Sequence, residues 1–352
     1  EEARSTMITF KPVNTSIAIA DKADLNITQL SADKIEIGVK GDSLAILAVS
    51  RSLGLMTEWD TSEKLENWDG VTVWKTKDER NGRVRSLDLA MFRTTEPIPY
   101  QIKYLTELEE LSFFGNTNTF MLDIALGDEI SELTQLKRLT IGAYGLTSLP
   151  NSLARLKNLE YLDIGSNNLQ RVPEVLTKEN FPALRTLILN ANQRSNIYDL
   201  SNTQRTDIGG FSEEEKFPAE LIKWGLDTLV LSVNYLQGEL PDFEDDPEVP
   251  YYTQEEIDAV DSLPQILVDR RIKKVMPTTK RFAINLNRLS GKLPDWLLYH
   301  PALDWWIPYS LVFPQEGHDK SGRQSRFDNE PANLDYYYEA YTTKEKPTEE
   351  LE

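Results

Sequence analysis

Few residues in this chain are of a type and spacing that do chemistry. It has two histidines, His300 and His318, and no cysteine. Without cysteine there is no disulfide, no thiolate metal site and no thiol nucleophile. His318 precedes Asp319, an acid–base pairing in other settings, but no Gly-x-Ser-x-Gly nucleophile elbow accompanies it. The HExxH zinc motif, the phosphate loop and the dinucleotide fingerprint are also missing. Both histidines read as structural or surface residues. The acidic run Asp242, Glu244, Asp245, Asp246 and Glu248 offers the oxygens calcium takes. It lacks the D-x-D-x-D-G order and reads as a solvated loop. Asp319-Lys320-Ser321-Gly322 is a weaker match still. A glycosidase needs two carboxylates at a set separation. With 57 acidic residues many pairs qualify and none is singled out. The sequence assigns no catalytic residue, no metal ligand and no cofactor.

The elements that could position a site come next. The 352 residues suffice for one elongated domain or two or three compact ones. At 40% hydrophobic and 27% charged, the composition is that of a folded protein. The formal charge of −19 repels phosphates and anionic lipid heads, which argues against nucleic-acid and anionic-membrane partners. No apolar stretch reaches the roughly 18 residues needed to span a bilayer. The sequence opens on Glu1-Glu2 without an initiator methionine or leader, and reads as a trimmed or processed chain.

An L-x-L-x-x-N pattern, or a near relative, recurs seven times. The pairs are Leu87/Leu89, Leu111/Phe113, Leu139/Ile141, Leu162/Ile164, Leu187/Leu189, Leu229/Leu231 and Phe282/Ile284. The asparagine slot holds Phe92, Asn116, Tyr144, Asn167, Asn192, Asn234 and Asn287. Successive first positions are 24, 28, 23, 25, 42 and 53 residues apart. The first four intervals fit a repeat of about 20–29 residues, and the last two are one repeat plus an insertion. In phase with the strands runs apolar-Pro followed by an apolar residue: Ile98-Pro99, Leu149-Pro150, Val172-Pro173, Phe217-Pro218 and Leu293-Pro294.

L-x-L is a short strand with one buried face. Proline pre-sets φ for the first turn of a short helical segment on the opposite edge. Asparagine after the strand can bond the backbone of the neighbouring loop and build a ladder along the array. One such unit cannot bury its own leucines, so stability belongs to the stack. The expected fold class is α/β, a right-handed solenoid with a parallel sheet on its concave face and a cap at each end.

Asn234-Tyr235-Leu236-Gln237-Gly238-Glu239-Leu240-Pro241 and Asn287-Arg288-Leu289-Ser290-Gly291-Lys292-Leu293-Pro294 resemble the N-x-L-x-G-x-[IL]-P signature of plant-type leucine-rich repeats. Ahead of the first strand, Asp42–Leu47 begins a helix, and Trp59, Trp68-Asp69-Gly70-Val71 and Gly82-Arg83-Val84 follow. That order resembles the N-terminal cap of extracellular and receptor-like members. Those caps usually pair cysteines, whereas Val73 stands near where one is expected. The chain also resembles bacterial surface leucine-rich-repeat lipoproteins. The resemblance implies an extracellular or cell-surface location, as an outer-membrane lipoprotein with a lipid anchor on its precursor. The chain is expected to be a monomer, and without an apolar span it is expected to have no transmembrane segment.

The expected organisation is a small β-rich segment over 1–41, with strands near 7–10, 16–20 and 34–39, then an N-terminal cap over 42–81. Seven repeats cover 82–309, with insertions at 193–216 and 242–280. A C-terminal cap and acidic tail cover 310–352. Trp59, Trp68 and Trp74 are the expected cover of the first repeat. Trp296, Trp305, Trp306, Tyr309 and Phe313 are expected to seal the other end. Thr253 with Glu256 predicts a capped helix inside the second insertion.

The residues flanking the buried leucines should face the concave side. Aromatic and arginine side chains are enriched in binding hot spots. The expected ligand-binding residues are Phe114, Arg138, Tyr161, Asp163 and Asn190, with Tyr144 either in the same patch or buried in the ladder. The functional expectation is a non-enzymatic binding or adhesion module for a protein or glycan at a bacterial cell surface. The alternatives are a hydrolase with its site in the insertions and a structural spacer.

Overall fold

The computed structural model describes residues 35–54, 59–92, 97–115, 124–192, 217–234 and 236–303, together with short strands at 4–9, 24–29, 194–195 and 208–209. Seven parallel strands lie side by side: Val84–Phe92, Glu110–Gly115, Arg138–Gly142, Tyr161–Asp163, Thr186–Ile188, Thr228–Val230 and Arg281–Ala283. Each pairs with the next in sequence order, and Val71–Val73 joins antiparallel at the start. The register places equivalent repeat positions opposite each other: Leu87, Leu111, Leu139, Leu162, Leu187, Leu229 and Phe282 form one row. All seven are buried in one continuous core. The fold is a leucine-rich-repeat solenoid.

The core has a second row that the strand pattern did not disclose. Leu105 and Leu108, Leu133 and Leu136, Leu156 and Leu159, and Phe181 and Leu184 precede their strands at three-residue steps and are buried. Each Leu side chain moved out of water stabilises the array by about 1.5–3 kcal/mol. Short helical segments form the opposite edge at Tyr100–Tyr104, Asp128–Glu132, Asn151–Arg155, Ala219–Lys223 and Asp295–Leu298. Pro99, Pro150, Pro218 and Pro294 stand immediately before these segments, one position earlier than the first helical turn. Pro173 is followed only by turns. Gln237–Glu239 pairs parallel with Arg288–Ser290, so the two plant-type signatures build a small second sheet.

The asparagines form the expected ladder. Asn167 donates through Nδ2 to the Ile141, Ile164 and Gly165 carbonyls, at 2.6, 3.0 and 3.1 Å. Its Oδ1 accepts the Tyr144, Gly145 and Leu146 N–H groups. Asn234 accepts from Asn192 N at 2.8 Å and donates to Leu189 and Leu231 O, both at 2.9 Å. Asn287 repeats the arrangement with Asn234 N, Leu236 N, Leu231 O and Ile284 O. The residue before five of the seven ladder positions is left-handed: Ala143, Ser166, Ala191, Val233 and Leu286 have φ of 48, 56, 55, 62 and 56°. Asn116 lies outside the described residues, as does the side chain of Phe92.

At the amino end, the helix Val39–Ser52 begins three residues ahead of Asp42. Asp42 is buried within it and holds Arg83 through two hydrogen bonds of 2.9 and 3.0 Å, while also accepting Val84 N. Burial pushes the Asp42 carboxyl above its ordinary value against the pull of Arg83. Trp59 stacks on the buried Trp68 at 5.2 Å. Trp74 is half-buried, with the guanidinium groups of Arg80 and Arg85 over its ring at 4.5 and 5.2 Å. The strand expected at 34–39 is not formed: residues 35–38 are irregular, and Ile37 is 64% exposed. An alternating pattern makes a strand only where one of its faces has something to bury against. The strand expected near 7–10 overlaps the observed Arg4–Thr9, which pairs antiparallel with Asp24–Gln29. The strand expected at 16–20 lies outside the described residues.

The second insertion is folded. Its helix Gln254–Ala259 carries the predicted capping box, with Thr253 accepting Glu256 N and Glu256 accepting Thr253 N. Leu267, Ile272, Val275 and Met276 enter the core. Of the first insertion, only the pairing of Arg194–Ser195 with Ile208–Gly209 is described. Trp296 is 2% exposed and packs near Phe243 and Phe282. Trp305, Trp306, Tyr309, Phe313, His318 and the 310–352 segment lie outside the described residues.

Candidate functional site

Three rows of side chains stand on the open face of the sheet, one before, one between and one after each pair of buried positions. In the middle of the array these rows read Glu110, Arg138, Tyr161, Thr186; Ser112, Thr140, Asp163, Ile188; and Phe114, Gly142, Gly165, Asn190. The alternation that buries the leucines therefore dictates which residues meet a partner.

The last row holds two glycines, and each is roofed by a neighbour. The Phe114 ring lies over Gly142, so close that a Cβ there would stand 2.7 Å from Cδ2 and Cε2. Asn190 covers Gly165, where a Cβ would come within 2.3 Å of its Oδ1. Phe114 is 47% exposed. It is a large apolar ring packed against the Gly142 backbone and half open to solvent.

Arg138 stacks on Tyr161, its guanidinium carbon 3.9 Å from the ring centroid. The Tyr161 hydroxyl reaches Asp163 Oδ2 at 3.5 Å, and Asp163 Oδ1 accepts Gly165 N at 3.0 Å. Burial pushes the Asp163 carboxyl above the ordinary carboxylate range, while Gly165 N–H and Tyr161 pull it back in part. Burial, followed by the charge of Asp163, also raises the Tyr161 hydroxyl. These groups are pre-stacked and hydrogen-bonded, so a ligand need not order them.

The five expected residues thus share one face but not one cluster. Arg138, Tyr161 and Asp163 are linked directly, and Asn190 joins them across Gly165. Phe114 and Arg138 occupy opposite ends of neighbouring strands, about 13 Å apart along the strand direction. Tyr144 is fully buried in the ladder position and takes no part. Its aromatic bulk fills the asparagine slot, and its backbone N–H is accepted by Asn167 Oδ1 of the next repeat, as in the other rungs.

The other chemical candidates resolve into structure. His300 is buried. Its Nε2 faces the Val275 and Met276 carbonyls at 3.1 Å, and its Nδ1 accepts Ala302 and Leu303 N. Nε2 ties the second insertion to the last repeat, and Nδ1 fixes the turn that follows His300. At the acidic loop, Lys223 contacts Asp246 at 2.8 Å, Glu220 at 3.2 Å and Glu248 at 3.7 Å, so a lysine supplies the positive charge there. Among the described residues no three His, Cys, Asp or Glu side chains are grouped to hold a metal.

No protein-family model matches the chain, and no curated protein matches it. Solved structures resemble it. The Arabidopsis receptor kinase HAESA, solved with a peptide hormone and a co-receptor, aligns with 75% of this chain and 40% of its own at 20% identity, with a TM-score of 0.46. A plant ice-binding protein aligns with 74% of this chain and 84% of its own at 20% identity and a TM-score of 0.44. An internalin of Listeria monocytogenes aligns with 78% of this chain and 58% of its own at 16% identity and a TM-score of 0.39. At these identities the likenesses concern fold alone. The repeat architecture stands on the chain's own strand register.

A feature of the same sheet escaped the sequence reading. Two residues before each first leucine stand Arg85, Glu109, Lys137, Glu160, Arg185, Asp227 and Lys280, whose charges alternate without a break. Backbone bonds set them side by side. Glu109 receives Arg85 at 3.0 Å and Lys137 at 2.5 Å, and Arg185 reaches Asp227 at 3.3 Å. Burial pushes the Glu109 carboxyl up, but the two cations outweigh it and hold it below its ordinary value. Aligning the seven repeats on their leucines, rather than reading each alone, would have exposed the alternation.

Proposed function

We propose that the chain is a non-enzymatic binding module that recognises a protein or glycan on the open face of its sheet, at a bacterial cell surface. The observation that carries this reading is the constellation from Phe114 to Asn190. A half-exposed ring roofs Gly142, a cation–π pair is already formed between Arg138 and Tyr161, and the half-buried Asp163 carboxylate stands beside that pair. Keeping Asp163 below the surface costs stability that a structural sheet has no reason to forgo. Aromatic rings and a stacked arginine suit both a peptide and a sugar face. Among the described residues no helix is long and apolar enough to cross a membrane. The surface location rests on the resemblance of the cap and repeats to surface proteins.

The test is capture of a partner by purified chain from cell-surface protein and glycan fractions, followed by affinity measurement. Phe114→Ala combined with Tyr161→Ala is expected to weaken capture by at least about a hundredfold, because each truncation at a hot spot costs tenfold or more. Undiminished affinity in the double variant would remove this face from the proposal. Absence of any ligand, with tolerance of open-face substitutions, would favour a spacer.

A further inference from the structure

The second insertion encloses a cavity against the last two repeats, away from the open sheet face. Its volume is about 340 Å³, at the lower end of the range for small-molecule sites. The floor is apolar and buried, formed by Leu240, Ile272, Leu293 and Trp296. Tyr251 closes one side.

Apart from Lys292, the charges around this floor are sorted by sign. Arg270 and Arg271 stand on the insertion wall, while Glu239, Asp242 and Glu244 stand on the repeat edge and the loop leaving it. Lys292 and Asp295 complete the rim. Among the described residues, none of these seven is ion-paired with another. Opposite charges left unpaired on facing walls mean that the space between them is too wide to bridge directly. Lys273, the third cation of the insertion wall, is already engaged: its ammonium donates to the Asp246 and Val249 carbonyls at 3.1 and 2.9 Å.

The arrangement is held in place. The Arg271 guanidinium lies over the Tyr251 ring at 5.1 Å. Its backbone, like that of Phe243, is left-handed, at φ 53 and 60°. Such conformations cost about 1–2 kcal/mol in a non-glycine residue and persist only where the surroundings impose them. Glu239 lies along Gly291, where any Cβ would meet its side chain at 2.4 Å.

A free phosphate or other anion would gain from the arginines but face four carboxylates. A metal cation would meet the reverse. Only a ligand carrying both signs satisfies both walls. We propose that this cavity binds a zwitterion of amino-acid or dipeptide size. Its carboxylate faces Arg270 and Arg271, its ammonium faces Asp242 and Glu244, and its apolar side chain lies on the Trp296 floor.

The dipeptide Leu-Phe with free termini is the probe, titrated into the full chain by calorimetry and followed by tryptophan fluorescence. Saturable binding is expected. N-acetylation or C-amidation should each weaken it by about tenfold or more, as should Arg271→Gln or Asp242→Asn, since each removes one charge-assisted contact. Both side chains are exposed, so the urea midpoint should stay unchanged in the variants, and Arg270→Gln serves as an independent replacement. Phe114→Ala with Tyr161→Ala should leave dipeptide binding intact. Equal binding of the doubly capped peptide, displacement by inorganic phosphate as readily as by free leucine, or no saturation at millimolar dipeptide would each overturn the proposal.

Discussion

Gly142→Ala offers a perturbation of the open face whose consequences follow from contacts in the structure. The new Cβ would meet two Phe114 ring atoms at 2.7 Å, while the next neighbour, Gly165 O, is an ordinary 3.6 Å away. Gly142 has no positive φ, so alanine fits its backbone. Only the Phe114 ring must move, and being half-exposed it can swing into solvent. Replacing a strand glycine gains about 0.5–1 kcal/mol. Lifting roughly 40 Å² of ring off the backbone costs about 1 kcal/mol. The urea midpoint should therefore hardly change, with a net effect within about 0.5 kcal/mol. Affinity for the captured partner should fall about tenfold or more, as for Phe114→Ala. The decisive assay is the double-mutant cycle. In the Phe114→Ala background, Gly142→Ala should change affinity by no more than about twofold, the scatter of independent sites. An equal loss in both backgrounds, or a stability loss above about 2 kcal/mol, would refute the claim that the glycine acts by seating the ring.

Other outcomes are expected. Asn234→Ala removes the side-chain acceptor of buried Asn192 N and one of two amide donors from each of Leu189 O and Leu231 O, and should cost about 2–4 kcal/mol in urea unfolding; a loss below about 1 kcal/mol would deny the ladder its stabilising role. Val233→Gly relieves a β-branched residue at φ 62° and should gain up to about 1 kcal/mol, since the left-handed penalty exceeds the entropic cost of glycine; destabilisation would show that the Val233 side chain contributes more than the strain removes. Asp163 has its folded carboxyl raised, so the fold binds its proton more tightly than the unfolded chain does. The associated loss of stability is absent below the ordinary carboxylate value and grows as pH rises through the raised one. Asp163→Asn should accordingly be more stable than the parent at neutral pH and indistinguishable from it at acidic pH, by thermal melts across that range; a gap that widened on acidification would contradict the sign.

The strands, the ladder and the capping box were legible because each is a short-range pattern. Leu139 and Ile141 sit two residues apart, Asn167 follows its strand by a fixed step, and Thr253 meets Glu256 within one turn. The five open-face residues could be placed by the same alternation. Their grouping could not, because whether Phe114 touches Arg138 depends on which end of the strand each occupies. The roofing of Gly142 by Phe114 joins positions 28 residues apart and needs the register. Tyr144 was ambiguous for a related reason: the slot reveals its position but not whether a ring can fill it. The alternation at 34–39 misled because strand character depends on what lies alongside, and Ile37 has nothing to bury against. The dipolar cavity was out of reach, since Arg271 comes to face Glu239 and Asp242 across it only after the insertion docks.

The unbroken change of sign from Arg85 to Lys280 gives the array a parity. Excising the single repeat that carries Lys137 would bring Glu109 beside Glu160, and like charges placed directly across neighbouring strands destabilise a sheet. Removing the adjacent pair carrying Lys137 and Glu160 would bring Glu109 beside Arg185 and restore attraction. Removing or inserting two interior repeats should therefore be tolerated where a change by one is not, so the middle of the array can be shortened or lengthened without new conflict only in even steps.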